Sequence, residues 1–230
     1  MANNLRKFDT YAEYSAATLV KPAVSLIEET DGVIFDPKPQ VPTTGVKLTF
    51  NISDTVNETL IYNTGGASEG GEEASEASEA GFTPLFMWVD GDEITPINTY
   101  RFTTTGLHTV VLGMDGGTVP EGVFKEIEMV AIEFRNDIET INTEGIASCT
   151  ALTSVTIGTG ITFISTYAFD SCTSLISVTI NASTPPDLGG NNEFTNNANG
   201  RKIYVPSASV NAYKNDTDWN YYANDIEAIV

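Results

Sequence analysis

One phrase occurs twice in this chain. Ser148-Cys-Thr-Ala-Leu-Thr-Ser-Val-Thr-Ile157 and Ser171-Cys-Thr-Ser-Leu-Ile-Ser-Val-Thr-Ile180 agree at eight of ten positions, at a spacing of 23 residues. Stepping back by the same interval gives a degenerate first copy. Val123, Ile146 and Phe169 then align, as do Met129, Leu152 and Leu175. Ile132, Val155 and Val178 form a further column, and Phe134, Ile157 and Ile180 another; Ile138/Ile161 and Ile141/Ile164 recur in the first two copies. A single unit of this size cannot bury its apolar side alone. Stacking sets each column against its neighbour and builds one continuous core. Val155 and Ile157 are two apart and share a face only in an extended strand, so the Leu-x-x-Val-x-Ile segment reads as a strand.

The tail after the repeat supplies a cap. Pro185-Pro186 breaks the pattern, residues 191–200 are a polar loop, and Arg201-Lys-Ile-Tyr-Val-Pro206 reads as a strand. A short helix starting at Ser207 carries Val210 and Tyr213, and Trp219, Tyr221 and Tyr222 follow. Tyr213, Trp219, Tyr221 and Tyr222 are assigned either to closing the open end of the stack or to an interface between subunits.

Upstream, the sequence divides into three parts. Residues 1–36 form an N-terminal arm. Its capping box, Thr10 to Glu13, opens a short helix, and a hairpin turns at Asp31-Gly32. An isolated hairpin is marginal in water, so the arm needs a partner surface. Its apolar and aromatic residues Phe8, Tyr11, Tyr14, Val24, Leu26, Val33 and Phe35 are the candidates for that contact. Residues 37–42 hold three prolines and form a stiff connector. Residues 43–117 contain about six short alternating runs, from Val46–Ile52 to Leu107–Leu112, which fit a small antiparallel β-sandwich. Within them, residues 65–81 are acidic, low in complexity and without a side chain able to build a core, and read as a surface loop. The repeat occupies 118–184 and the cap 185–230. The fold class is mainly β.

Charge removes some functions. The 31 acidic and 11 basic side chains give a net charge of -20, which repels nucleic acid and anionic membranes. No run approaches the roughly 18 apolar residues of a membrane span, and Met1–Phe8 lacks the apolar core of an export signal. Cofactor and metal chemistry are not expected. Cys149 and Cys172 hold the same repeat position, so they should stack about 5 Å apart as buried free thiols. His108 is the chain's single histidine and reads as a surface residue on an alternating strand. Asp90-Gly-Asp-Glu93 and Asp216-Thr-Asp218 have turn chemistry and lack calcium-loop spacing. There is no Gly-x-Ser-x-Gly elbow and no phosphate-binding glycine loop. An enzyme is not indicated.

Two resemblances follow. Leu152–Ile157, the link Tyr167-Ala-Phe-Asp-Ser-Cys172 and the closing Ile203–Pro206 with Tyr213 and Trp219 resemble BspA-type leucine-rich repeats. The preceding Val89-Asp-Gly91, Tyr100–Phe102 and Gly106–Val110 are similar to the β domain that often precedes them. This resemblance implies a short leucine-rich-repeat-type solenoid used as an adhesin or binding scaffold. Separately, Phe8–Tyr14, Lys21–Glu28 and Val33–Phe35 resemble the leader of virion proteins from tailed phages of gut Bacteroidetes, including head-fibre proteins. That resemblance implies assembly in the bacterial cytoplasm and a place on the exterior of the phage head. The arm would be anchored to the capsid or other virion proteins, with self-association as a dimer or trimer. A host-surface glycan or protein would be the ligand of the projecting head. The alternative is a bacterial surface adhesin built on the same repeats.

Overall fold

The computed structural model describes residues 40–64 and 82–230. The expected arm, the first half of the Pro-rich connector and the acidic segment 65–81 lie outside the described residues. Everything below concerns Thr43–Val230, which forms one compact unit.

The repeats make parallel strands. β8 (Ala131–Phe134), β10 (Ser154–Ile157), β12 (Ser177–Ile180) and β14 (Lys202–Val205) stack in register, with Ile132, Val155, Val178 and Ile203 on one rung. In each strand alternate residues are buried, as a period of two requires. On the other side of each coil runs a second parallel sheet. It consists of β7 (Thr118–Val119), β9 (Thr140–Ile141), β11 (Phe163–Ile164) and β13 (Asp187–Leu188), and it buries Val119, Ile141, Ile164 and Leu188. The core lies between the two sheets.

The turns joining them repeat as well. Gly122, Glu144 and Tyr167 take positive φ, and so do Glu126, Ser148, Ser171 and Asn196. Most of these are not glycine, so each turn bears a backbone cost that stacking must offset. Backbone amides hold the turns together from coil to coil: Phe124 N donates to Gly145 O (2.8 Å), Ile146 N to Ala168 O (2.9 Å), and Phe169 N to Glu193 O (2.8 Å).

These bonds correct one column. Phe124, not Val123, is the equivalent of Ile146, because the first turn is one residue shorter than the sequence interval suggests. Val123 and Phe124 are both buried, so either can fill the core there. Only the strand positions must keep step. The last interval is longer, since Ser171 corresponds to Asn196 and Val178 pairs with Ile203. The apolar columns therefore run on past Pro185-Pro186 into β14 and then into β15 (Ile226–Ala228), where Ile226 joins the Ile203 rung.

The upstream strands differ from the expected sandwich. β1 (Val46–Ile52) lies antiparallel to β8 on one side and to β6 (Gly106–Leu112) on the other. β3 (Met87–Val89) and β4 (Asp92–Ile94) continue outward from β6. All join the solenoid in one nine-stranded sheet, while β2 (Thr59–Leu60) and β5 (Thr99–Tyr100) form a separate two-stranded ribbon. The physical reason is continuity of the core. Leu48 sits beside Ile132 and Val46 beside Phe134, so β1 prolongs the same apolar columns and covers the edge that β8 would otherwise expose. The turn at Asp90-Gly91 is present as anticipated, with both residues at positive φ.

Candidate binding face

The outer face of the nine-stranded sheet is open to solvent from β15 across to β1. A single row of positions crosses it: Glu227, Tyr204, Thr179, Thr156, Glu133, Lys47, Val111, Trp88 and Glu93, of which Val111 and Trp88 are buried. Beside it lies a second row through Lys202, Ser177, Ser154, Ala131, Thr49 and Thr109. The Ser-Val-Thr-Ile repeat produces this: its apolar pair points into the core, so its hydroxyl pair must point out.

Charge is confined to the flanks of this central strip. Lys47 Nζ meets Glu133 Oε2 at 3.5 Å, and Lys202 Nζ meets Glu227 Oε1 at 2.7 Å. Between these pairs stand Ser154, Thr156, Ser177, Thr179 and Tyr204, all half-buried and uncharged. Among the described residues, none of the four Ser and Thr hydroxyls is committed to a hydrogen bond with another side chain. A hydroxyl offers one donor and two acceptor sites, so this strip can exchange water for a polar, uncharged ligand without breaking internal bonds. The strip is absent from the candidates drawn from sequence, although the alternation of Ser-Val-Thr-Ile already carried the signal.

The sequence-derived candidates are distributed differently. Phe8, Tyr11, Tyr14, Val24, Leu26, Val33 and Phe35 lie outside the described residues. Tyr213, Trp219 and Tyr222 are buried beneath the cap, which includes α1 (Val210–Asn215) and the turns after it. Tyr213 Oη donates to Ala182 O (2.9 Å), Trp219 Nε1 to Pro186 O (2.7 Å), and Tyr222 Oη to Glu193 Oε2 (3.1 Å). Burial pushes the Tyr213 and Tyr222 phenols up from their ordinary range. Tyr221 alone of the four is exposed, with its ring edge-on to Tyr222. The Arg201 guanidinium lies over the Phe194 and Tyr222 rings, and its Nη2 donates to Asp225 Oδ2 (2.6 Å).

The reactive side chains are held inside. Cys149 and Cys172 are both free and fully buried. Each thiol reaches the preceding turn at an equivalent place, Cys149 Sγ to Phe124 O (2.9 Å) and Cys172 Sγ to Ile146 O (3.1 Å). Contact with Cys172 and burial together push the Cys149 thiol far above its ordinary range. His108 departs from the expected surface position: it is 8% exposed, whereas Leu107 beside it is 72% exposed. His108 shares its face of the strand with the buried Val110 and Leu112, and Asp90 and Thr104 supply its polar partners there. Among the described residues no group of three or more His, Cys, Asp or Glu is placed to hold a metal ion, and no helix is long and apolar enough to cross a membrane. Asp216 and Asp218 serve the cap, Asp216 Oδ1 accepting from Asp218 N (2.9 Å) and Asp218 Oδ2 from Leu188 N (3.4 Å).

The sequence pattern that defines the BspA type leucine rich repeat region matches residues 92–217, in six copies. That stretch is more than half of the chain. The chain belongs to the BspA-type leucine-rich-repeat family. The match begins at Asp92, in β4, well before the first copy that is legible by eye. Proteins built on BspA-type repeats are typically binding or adhesion proteins and not enzymes. No curated protein matches the chain.

Proposed function

We propose that this BspA-type protein is a non-catalytic binding protein whose ligand lies across the outer sheet face at Ser154, Thr156, Ser177, Thr179 and Tyr204. The observation that carries this reading is the uncharged hydroxyl strip on a chain of net charge -20, bounded by the Lys47–Glu133 and Lys202–Glu227 pairs. Neighbouring strands repeat about every 4.8 Å, so the hydroxyls form an evenly spaced ladder. A neutral glycan offers matching donors and acceptors, and Tyr204 adds an aromatic ring of the kind sugars stack against. An anionic ligand would face the field of the whole protein.

The finer reading is a virion protein. In it, residues 1–36 anchor the chain to the capsid of a tailed phage, the BspA-type head projects from the exterior of the phage head as a dimer or trimer, and the sheet face engages a host-surface or mucosal glycan. It is supported by the likeness of residues 8–35 to head-fibre leaders. A leucine-rich-repeat adhesin on a bacterial surface would use the same face.

The test is a glycan array probed with the full chain and with a Thr156→Glu/Thr179→Glu double variant. Retention of neutral glycans by the native chain, lost in the variant at unchanged circular dichroism, is the expected result. Equal retention by both would move the ligand elsewhere. Deleting residues 1–36 should abolish incorporation into particles, and normal incorporation would sink the virion reading.

A further inference from the structure

We propose that His108 is a pH-sensitive clamp that, as an imidazolium, ties the β3–β4 turn to residues 103–105, and that releases this connection when it loses a proton.

The geometry rests on which atoms face the ring. His108 Nδ1 lies 2.6 Å from Asp90 Oδ2, and Nε2 lies 2.8 Å from the backbone oxygen of Thr104. A carboxylate and a carbonyl can only accept, so both nitrogens must donate, and a ring that donates twice is charged. Asp90 is fixed from its other side, because its Oδ1 accepts from Thr109 N (2.8 Å). Swinging away to accommodate a neutral ring would break that bond. The imidazole is largely buried, with the Phe102 ring centroid 4.6 Å away and Phe50 its cross-strand neighbour on β1.

The groups facing His108 are few. Among the described residues, the β3–β4 turn presents Asp90, the one charged partner; the 103–105 loop presents the Thr104 carbonyl and hydroxyl; Phe102 and Phe50 are apolar. The hydrogen bond with Asp90 holds His108 above the ordinary 6.5, against the opposing effect of burial. Loss of the proton leaves Nδ1–H on Asp90 and turns the Nε2 lone pair toward the Thr104 carbonyl, where the two repel. The donor within reach is Thr104 Oγ1, at 3.3 Å. Deprotonation thus exchanges a carbonyl for a hydroxyl and frees the loop backbone.

His108 is the chain's single histidine, so its ring can be followed in the full protein by nitrogen–proton correlation. At pH 6.5 both ring nitrogens should be protonated, with a titration midpoint above that value. Asp90→Asn should lower the midpoint, whereas Thr104→Val, which removes the partner of the neutral ring, should raise it. Amide protection at residues 103–106 should fall through the same midpoint. A ring with one bare nitrogen at pH 6.5, or a midpoint that neither substitution moves, overturns the proposal. Thr104 is exposed, so its variant remains readable should Asp90→Asn unfold the turn.

Discussion

Both carboxylate oxygens of Asp137 lie 2.8 Å from the backbone nitrogen of Gly45, pinning the start of β1 to the loop between β8 and β9. Arg135 strengthens the junction: its backbone N donates to Gly45 O (3.0 Å) and its Nη1 to Thr44 O (3.3 Å). Asp137→Ala leaves the Gly45 amide without this partner and should cost about 1–2 kcal/mol, since the site is half-buried. Gly45→Ala should cost more. Gly45 has φ +87, and an added Cβ would stand 2.1 Å from Leu112 O. Urea midpoints of the two variants check both the sign and the order.

The cap separates two roles for its aromatics. Trp219→Ala empties a fully buried site in contact with Tyr213, Phe194 and Tyr222, and should lose about 3–5 kcal/mol. Tyr221→Ala, at an exposed position, should change stability by under about 0.5 kcal/mol. A shift in oligomer mass on Tyr221→Ala alone would place a subunit contact at that ring. Thermal unfolding and light scattering give the two readouts.

The thiols should be silent in the native protein. Cys149 and Cys172 are buried, and Cys149 is held far from its thiolate form. Alkylation by iodoacetamide should label neither thiol until the chain unfolds, as intact mass will show. Prompt native labelling of either one would mean that the stack opens at that rung.

Stability should fall as the solution becomes alkaline. His108 binds its proton more tightly folded than unfolded, so its contribution is complete below the ordinary 6.5 and is lost as pH rises through the higher folded value. The urea midpoint of the native chain should drop across that window. In His108→Gln this pH-dependent component should be absent, leaving a flatter profile.

Much of the repeat region was legible because its columns are redundant. Leu152, Val155 and Ile157 recur in Leu175, Val178 and Ile180, and all six are buried on matching rungs. Val123 was misaligned for the opposite reason: it adjoins Phe124, both are apolar, and composition cannot reveal a turn shortened by one residue. The sandwich expectation did not include the pairing of β1 with β8, because the alternation of β1 is the same whether its neighbour is another hairpin strand or a distant coil. His108 was placed outside because its partners, Asp90 and Thr104, meet it only after the hairpin and loop have closed. The hydroxyl strip was visible as spacing, but its significance came from the charge pairs that bound it, and those join residues far apart in the chain.

The antiparallel placement of β1 gives the stack a direction of growth. A strand that pairs backwards against β8 cannot pass the parallel pattern on to anything before it, whereas every coil from β8 to β14 presents its successor with the pairing it received. Duplicating or deleting a 23-residue unit between β10 and β12 therefore changes the length of the stack while leaving both of its ends intact. Descent by gain and loss of internal units, with fixed ends, is the history to which this architecture lends itself.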